Sequence, residues 1–384
     1  MKIPGLANVH SHAFQRLLRG DVQRRDLTRQ DTFWTWRERM YDLALSLDVE
    51  ALEAAARLTY IECLEAGYTA VGEFHYVHHD PAGQPYADPI ATSRAMLRAA
   101  QQTGIRVTLL WTAYARGGFD RALSDRQVRF GAGGIDDVRR ALDALMPLAD
   151  GTRSAVGLAL HSVRAVPPAW LGPLAAAARE RGLPIHAHVS EQTAEVDASR
   201  AATGLSPVGL LSQEGVLGPD FTAVHATWLD DEDLALLQTS GSTVCLCPTT
   251  ECDLGDGVPR TAELFEAGVP ICVGSDSHAV IDPFCELRMV EYQARARTGR
   301  RCVLVDDTGA VGPALQAVGH DAGYHALGLK GDGDEVTLDP EARVFEGAQD
   351  HLAVAMTAGH PGLVDRVTVA GEAVVHEGRH LARA

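Results

Sequence analysis

No stretch of the sequence approaches the roughly 20 consecutive apolar residues that a helix needs to cross a bilayer. The first residues, MKIPGLANVHSHAF, lack a basic segment followed by an apolar core, so no signal peptide is expected and a cytoplasmic location is the default prediction. Cysteine is sparse: there are seven, an odd number, and none forms a C-x-x-C pair. We therefore expect reduced, mostly buried thiols, and we interpret Cys245 and Cys247 as strand residues rather than metal ligands.

Positive charge is also scarce, with 34 Lys and Arg residues against 51 Asp and Glu residues and a formal net charge of −17. Such a surface repels phosphate backbones and anionic membranes, so neither nucleic acid nor a membrane is a predicted partner. An anionic substrate would have to be bound by a local group of basic residues against this overall field.

What the sequence does contain is an alternation of short β-branched runs with stretches of helical period. The predicted strands span residues 6–9, 69–74, 106–111, 155–160, 184–187, 221–224, 242–246 and 270–273. The predicted helices span residues 50–65, 89–103, 135–148, 167–181, 207–213, 230–239, 261–267 and 283–297. Eight strands, each followed by a helix, predict an α/β fold of the (β/α)₈ TIM-barrel type.

The pattern changes after about residue 305. A helical stretch to about residue 329 is followed by predicted strands at Glu335–Leu338, 366–369 and Glu372–His376. We therefore predict two parts, a barrel with C-terminal helices at residues 1–329 and a small β-rich appendage at residues 330–384.

Polar side chains suited to metal binding or proton transfer follow most of the predicted strands. They are His10 and His12 after strand one, Tyr76 after strand two, His161 and Arg164 after strand four, His188 and Glu191 after strand five, His225 after strand six and Asp276 after strand eight. The C-terminal ends of barrel strands converge on one face, where the loops build the active site. The sequence therefore predicts that these side chains meet in one pocket.

Four of these residues form a predicted site for one divalent metal ion. His10 and His12 lie two residues apart on a strand, so their side chains point the same way and can bind one ion. With His188 and Asp276 they offer imidazoles and a carboxylate, which suit Zn²⁺ and also Fe²⁺ or Mn²⁺. Such an ion brings the pKa of a bound water to about 7, and Asp276 can accept the proton of that water. Taken singly, each histidine could be a packing residue and Asp276 a helix N-cap.

This arrangement resembles the amidohydrolase superfamily. No lysine stands at the end of strand four to bridge two metals; His161 is there instead, as in the mononuclear, deaminase-type branch. The resemblance implies that the H-x-x-E on strand five supplies a ligand, His188, and a proton-shuttling glutamate, Glu191. It also implies that His225 orients or polarises the attacking water.

Longer stretches are similar to the formimidoylglutamate deiminase family of histidine degradation. They are NVHSHAFQR, FWTWRERMY, GYTAVGEFHYVHHDP, LHSVRAV, PIHAHVSEQ, CPTTECDLGDG and VGSDSH. The resemblance implies metal-dependent hydrolysis of N-formimino-L-glutamate to N-formyl-L-glutamate and ammonia. It implies substrate contacts from Gln15, Arg37, Tyr76, His161 and Arg164. Barrels of this type often pair, so a homodimer is also expected.

The chemistry of that substrate agrees with these contacts. It carries two carboxylates, and two arginines are natural receptors for them because each guanidinium can bind a carboxylate bidentately. Arg37 could instead form a salt bridge with Glu38 or Asp42 on a solvated helix, and Tyr76 could be a packing residue at the rim.

Other functions and other residue roles stay open at this stage. A guanidino acid such as N-guanidinoglutarate would use the same two arginines, whereas deamination of an aromatic base would favour stacking rings and amide groups. A non-catalytic barrel is disfavoured because the ligand set and the shuttle glutamate are all present. We interpret His78 and His79 as residues of the loop or of the layer behind the metal ligands, and Glu251 as a residue past strand seven whose role the sequence does not define.

One departure from the family concerns the appendage. Family members usually carry a few dozen residues before the H-x-H, which form half of a β-sandwich, but here His10 lies near the first residue. We therefore expect an N-terminally truncated β-sandwich with exposed strand edges.

Overall fold

The computed structural model describes residues 1–25, 27–28 and 30–383. Its central feature is an eight-stranded sheet in which every strand pairs in parallel with the next along the chain. After a first short strand, β1 (Lys2–Pro4), the strands of this sheet are β2 (Leu6–Ser11), β3 (Tyr68–His75), β4 (Arg106–Ala113), β5 (Ser154–Ser162), β6 (Ile185–Val189), β7 (Phe221–His225), β8 (Thr243–Leu246) and β9 (Ile271–Val273). Each of the eight overlaps a predicted strand, so the predicted TIM barrel is confirmed.

The barrel closes through residues that also carry the candidate chemistry. The segment after β9 reaches β2 at Asp276, whose backbone N–H donates to the carbonyl of His10 at 2.9 Å. In return, the backbone N–H of His12 donates to the carbonyl of Asp276 at 3.0 Å. The closing hydrogen bonds therefore fix His10, His12 and Asp276 relative to one another.

Fourteen helices in the described part of the chain surround or plug the barrel. They are α1 (Phe33–Ser46), α2 (Val49–Ala66), α3 (Ala91–Thr103), α4 (Ile135–Leu145), α5 (Pro168–Arg179), α6 (Thr193–Thr203), α7 (Pro207–Gln213), α8 (Asp231–Ser240), α9 (Pro248–Leu254), α10 (Thr261–Glu266), α11 (Pro283–Thr298), α12 (Val311–Gly319), α13 (Asp321–Ala326) and α14 (His351–Ala358). No helix among the described residues is long and apolar enough to span a membrane.

Local chemistry explains most helix boundaries. The Asp48 carboxylate accepts from the backbone N–H of Ala51 and caps α2, and Gly67 ends that helix with a φ of 106° that favours glycine. Helices α1, α6, α9 and α14 were not among the helices predicted from the sequence. Helix α6 buries only Glu195, Val196 and Ser199, so it has no apolar stripe from which its period could be recognised.

Helix α13 closes the end of the barrel opposite the polar residues. The ring of Tyr324 and the segment that follows it pack against Ala7 and Val9 of β2 inside the barrel. Thr108, near the start of β4, donates to the carbonyl of Leu327 at 2.7 Å. This end of the barrel is therefore filled by packed side chains, and the pocket described below lies at the opposite, C-terminal face.

The second sheet is antiparallel and contains residues from both ends of the chain. Its order is β1, β10 (Glu335–Leu338), β11 (Val364–Val369), β12 (Glu372–His376) and β13 (Arg379–His380). Strand β1, which was not predicted from the sequence, covers one edge of β10 by pairing Lys2 with Thr337. A buried bidentate salt bridge from Arg106 to Asp334, at 2.7 and 2.9 Å, joins this sheet to the barrel.

Candidate active site

The four predicted metal ligands converge at the C-terminal face of the barrel. The Nε2 atom of His10 lies 3.1 Å from Nε2 of His188 and 3.3 Å from Oδ1 of Asp276. The Nε2 atom of His12 lies 3.4 Å from the same carboxylate oxygen. All four side chains are buried. Side chains from β2, from the residue that follows it, from β6 and from the segment after β9 therefore direct their ligand atoms at one point.

The protonation of these imidazoles suits a cation. Nδ1 of His12 lies 2.9 Å from the carbonyl of Phe74, and Nδ1 of His188 lies 2.8 Å from the carbonyl of His161. A carbonyl oxygen only accepts, so Nδ1 must carry the hydrogen in both rings and Nε2 presents a lone pair. Burial lowers the pKa of His10, and it lowers that of His12 to about 3, which keeps both rings neutral.

The donor set therefore fits a divalent metal ion. A lone pair of His12 faces the Asp276 carboxylate at 3.4 Å, a repulsive arrangement unless a positive charge lies between them. Three neutral imidazoles and one carboxylate are ligands that Zn²⁺ prefers, and hydrogen bonds from Nδ1 to backbone carbonyls are the usual way in which ligand histidines are oriented.

A second layer of acidic groups surrounds His225. Nδ1 of His225 lies 3.3 Å from Oε1 of Glu251, and its Nε2 faces Glu191 at 3.8 Å and Asp276 at 3.9 Å. Although burial opposes the charge, Glu191 and hydrogen bonds with Cys247 and Glu251 raise the pKa of His225 well above its usual value. Burial raises the pKa of Glu191 above the ordinary value of a glutamate, a shift that is common among carboxyl groups that transfer protons.

Backbone strain is concentrated at the same place. Ser190, His225 and Asp276 have φ angles of 51°, 70° and 46°, in the left-handed region that side-chain-bearing residues rarely adopt. Each such residue costs about 1–3 kcal/mol and persists only where surrounding contacts hold it, which is common at functional sites. Here the barrel-closing bonds hold Asp276, and Glu251 holds His225.

On the other side of the pocket lie two arginines without acidic partners. Glu38 and Asp42, the alternative partners of Arg37, both pair with Arg126 instead. Among the described residues, neither Arg37 nor Arg164 has a carboxylate oxygen within 4.0 Å, and Nε of each is buried without a hydrogen-bond partner.

A tryptophan supports both arginines. The guanidinium carbon of Arg37 lies 4.5 Å from the ring centroid of Trp34, and that of Arg164 lies 5.8 Å from the same residue. Two cations held against one aromatic side chain, with no described carboxylate in contact with either guanidinium, form a receptor for an anionic ligand.

The remaining predicted contacts lie between the arginines and the metal ligands. Nε2 of Gln15 donates to the hydroxyl of Tyr76 at 2.8 Å. The ring centroids of Tyr76 and His12 are 5.0 Å apart, and those of His161 and His188 are also 5.0 Å apart. The structure therefore brings every predicted site residue to one pocket, and their chemical roles stay predictions.

His78 and His79 point elsewhere. His78 stacks on Trp111 with ring centroids 4.0 Å apart, and its Nε2 bonds the carbonyl of Thr112 at 2.8 Å. Nε2 of His79 lies 2.8 Å from the carbonyl of Gly131. Both histidines thus support the loop packing, in line with their interpretation as loop residues.

Several residues of the site were missed from the sequence. Trp34 and Tyr41 precede and follow Arg37 by three and four positions, so a helix assigned there would have placed all three on one face. Tyr114, which follows β4, also lines the pocket, and no sequence motif predicts that it does so. Asp256 accepts from Gln192, and its buried carboxyl has a pKa raised to about 9 by burial and by Glu191.

Comparison with known proteins agrees with this geometry. A model of the amidohydrolase family matches residues 1–318. The chain belongs to the amidohydrolase family. It is a hydrolase that acts on C–N bonds.

Two curated relatives and one solved structure illustrate the breadth of the family. The chain is 38% identical to formimidoylglutamate deiminase of Pseudomonas aeruginosa, over 98% of this chain and 85% of the relative. It is 28% identical to 8-oxoguanine deaminase of the same organism, over 96% and 81%. The crystal structure of an amidohydrolase from Brucella melitensis matches with a TM-score of 0.92 and 35% identity, covering 100% of this chain and 86% of that one.

Proposed function

We propose that this amidohydrolase converts N-formimino-L-glutamate and water to N-formyl-L-glutamate and ammonia. The observation that supports this substrate most directly concerns the guanidiniums of Arg37 and Arg164, which have no acidic partner among the described residues. They lie in the same pocket as the four predicted metal ligands, which we call the ligand cluster: His10, His12, His188 and Asp276. A substrate with two carboxylates supplies both missing anions. The similarity to the Pseudomonas aeruginosa formimidoylglutamate deiminase points to the same substrate.

In this proposal His10, His12, His188 and Asp276 hold one divalent ion, with zinc as the first choice and Fe²⁺ or Mn²⁺ as alternatives. When bound, such an ion activates water at neutral pH and polarises the carbon–nitrogen double bond of the formimino group. The neutral imidazoles and the carboxylate that face each other within 3.4 Å support this assignment.

The side chains of the pocket have separate roles in substrate binding and proton transfer. Arg37 and Arg164 bind the carboxylates, with Gln15, Tyr76 and His161 completing the contacts. Asp276 accepts a proton from the attacking water, and His225 orients that water through its Nε2. Glu191 delivers a proton to the departing nitrogen, so that one C–O bond forms, one C–N bond breaks and ammonia leaves.

The decisive experiment measures ammonia release by the zinc-loaded protein. N-formimino-L-glutamate should be hydrolysed, and chelation should abolish the activity until zinc is restored. Glu191→Gln should keep the zinc but lose at least about 10²-fold in kcat, because general acid catalysis contributes about that much. Protein with a full complement of zinc that releases no ammonia from this substrate would refute the proposal.

A guanidino acid is the second candidate, because N-guanidinoglutarate carries the same two carboxylates. An aromatic base such as that of the related 8-oxoguanine deaminase is less compatible, since it leaves both guanidiniums without an anion. Parallel assays with all three substrates separate these cases. Formation of a homodimer and a cytoplasmic location stay predictions.

A further inference from the structure

Two tyrosines lie beside the arginine pair and have no assigned role. The ring of Tyr41 is 5.5 Å from the guanidinium carbon of Arg37, and Tyr114 is close enough to Arg37 and Arg164 to interact with both charges. Both phenols are buried, at 5% and 2% exposure, and both line the pocket.

The side chain of Gln127 fixes how these phenols bond. Its Oε1 accepts from the backbone N–H of Ser124 at 3.1 Å and from the Ser124 hydroxyl at 2.9 Å, which sets the orientation of the amide. Its Nε2 then donates to the hydroxyl oxygen of Tyr41 at 3.2 Å and to that of Tyr114 at 2.8 Å. Both phenol oxygens are therefore acceptors for one amide group.

A count of hydrogens leaves one donor over. Each phenol still carries its own hydrogen, and the two hydroxyls of Tyr41 and Tyr114 are close enough to interact, so at most one of the two hydrogens serves the neighbouring oxygen and at least one is left. Among the residues that the structure describes, no other acceptor takes the second hydrogen. Burial raises the pKa of Tyr114, so its hydroxyl keeps its hydrogen at neutral pH.

The position of this donor identifies the part of the substrate that it meets. The ring centroids of Tyr114 and His161 are 4.4 Å apart, and those of His161 and His188 are 5.0 Å apart. The ring of Tyr114 therefore lies one aromatic layer farther from His188 than the ring of His161 does, and Tyr41 shares the amide of Gln127 with it. A substrate whose reacting carbon is at the cluster brings its more distant end to this layer.

We propose that Tyr41 and Tyr114, presented by Gln127, donate a hydrogen bond to the substrate carboxylate that lies farther from the reacting carbon, and so set the preference for dicarboxylates. The substrate's identity in this inference rests on the proposed function. A hydroxyl that donates to a carboxylate adds a charge-assisted bond to those from the guanidiniums. A pair that served only packing would give no such preference.

The kinetic test uses the zinc-loaded Tyr41→Phe, Tyr114→Phe and double variants, which keep both rings. Substrates are N-formimino-L-glutamate and N-formimino-L-2-aminobutyrate, which lacks the distal carboxylate. For the first, the double variant should lose about 10- to 100-fold in kcat/KM, chiefly through KM. For the second, the change should stay below about threefold. Tyr292→Phe, at an exposed tyrosine, serves as the matched control.

A binding test keeps this inference separate from the proposed function. Calorimetry compares glutarate with butyrate on the zinc-loaded wild type and double variant, with zinc content and circular dichroism recorded for both. Affinity for glutarate should fall about tenfold or more while affinity for butyrate is unchanged. If wild type releases no ammonia from formiminoglutamate, the proposed function fails while this test still decides the role of the tyrosines. Equal losses for both ligands, no loss for either, or no glutarate binding by the wild type would overturn the inference.

Discussion

Replacing Glu251 with glutamine isolates the electrostatic role of one buried carboxylate. Oε1 of Glu251 accepts from the backbone N–H of Cys247 at 2.8 Å and lies 3.3 Å from Nδ1 of His225. A glutamine carbonyl oxygen at the same position can accept both bonds, so the geometry of His225 should persist. What disappears is the carboxylate character of one of the three contacts, with Glu191, Cys247 and Glu251, that raise the pKa of the His225 imidazole.

The expected decrease in kcat follows from the difference in free energy between a hydrogen bond to a charged group and one to a neutral group. A bond to a charged group contributes about 1.5–3 kcal/mol and a neutral one about 0.5–1.5 kcal/mol, so the change is about 1–1.5 kcal/mol. If the bond is used fully in the transition state, kcat falls about 5- to 12-fold. Because the pKa of His225 should fall towards its usual value, any limb of the pH–rate profile due to its deprotonation should move to lower pH.

The assay is ammonia release by zinc-loaded protein between pH 6 and 10, with zinc content and thermal unfolding measured on the same samples. Glu180→Gln, at an exposed glutamate, is the matched control. The reasoning is wrong if kcat and its pH profile do not change, or if the loss of activity merely follows a loss of zinc or of folded protein.

Three further changes test other parts of the structure. Arg164→Met should raise KM for formiminoglutamate by about 10²-fold or more, because a bidentate bond to a carboxylate is lost; steady-state kinetics measure it. Trp34→Leu should raise the same KM about 5- to 30-fold, since a cation–π contact with one guanidinium contributes about 1–2 kcal/mol. Burial raises the pKa of Glu73 from 4.5 to about 7. The folded protein thus binds a proton that the unfolded chain releases, and stability falls as pH rises through this window. Glu73→Gln should recover up to about 3 kcal/mol at pH 8 but nothing at pH 4, measured by urea unfolding of metal-free protein.

The sequence predicted the barrel and the ligand cluster well because both depend on short-range patterns. Strands such as β3 and β4 are buried along their whole length, so their apolar runs are unmistakable. His10 and His12 need only the two-residue period of a strand to face the same ion. Once eight strands are recognised, the geometry of a barrel brings His188 and Asp276 to the same face.

The parts that were missed depend on contacts between distant segments. Strand β1 has three residues and forms only because β10, more than 300 positions away, offers an open edge. Tyr114 and Gln127 become site residues because the segment after β4 folds back towards α1, where Tyr41 lies. No local period encodes that approach, and the free hydroxyl hydrogen emerges only from the three-dimensional count of donors and acceptors.

The ligand cluster, which was predicted from the sequence, and the outer part of the pocket, which was partly missed, are held in different ways, and this difference has a chemical consequence. The hydrogen bonds that close the barrel fix the ligand cluster. Because several such bonds hold the same segment of backbone, Asp276 can keep its strained conformation. The residues proposed to bind the substrate carboxylates instead lie on α1, in the segment after β4 and just after β5, outside that closure. Substitutions at Trp34, Arg37 or Tyr41 can therefore change which molecule is held without moving His10 or His12. We expect relatives of the family that act on other substrates to differ most in this outer layer and least in the closing strands.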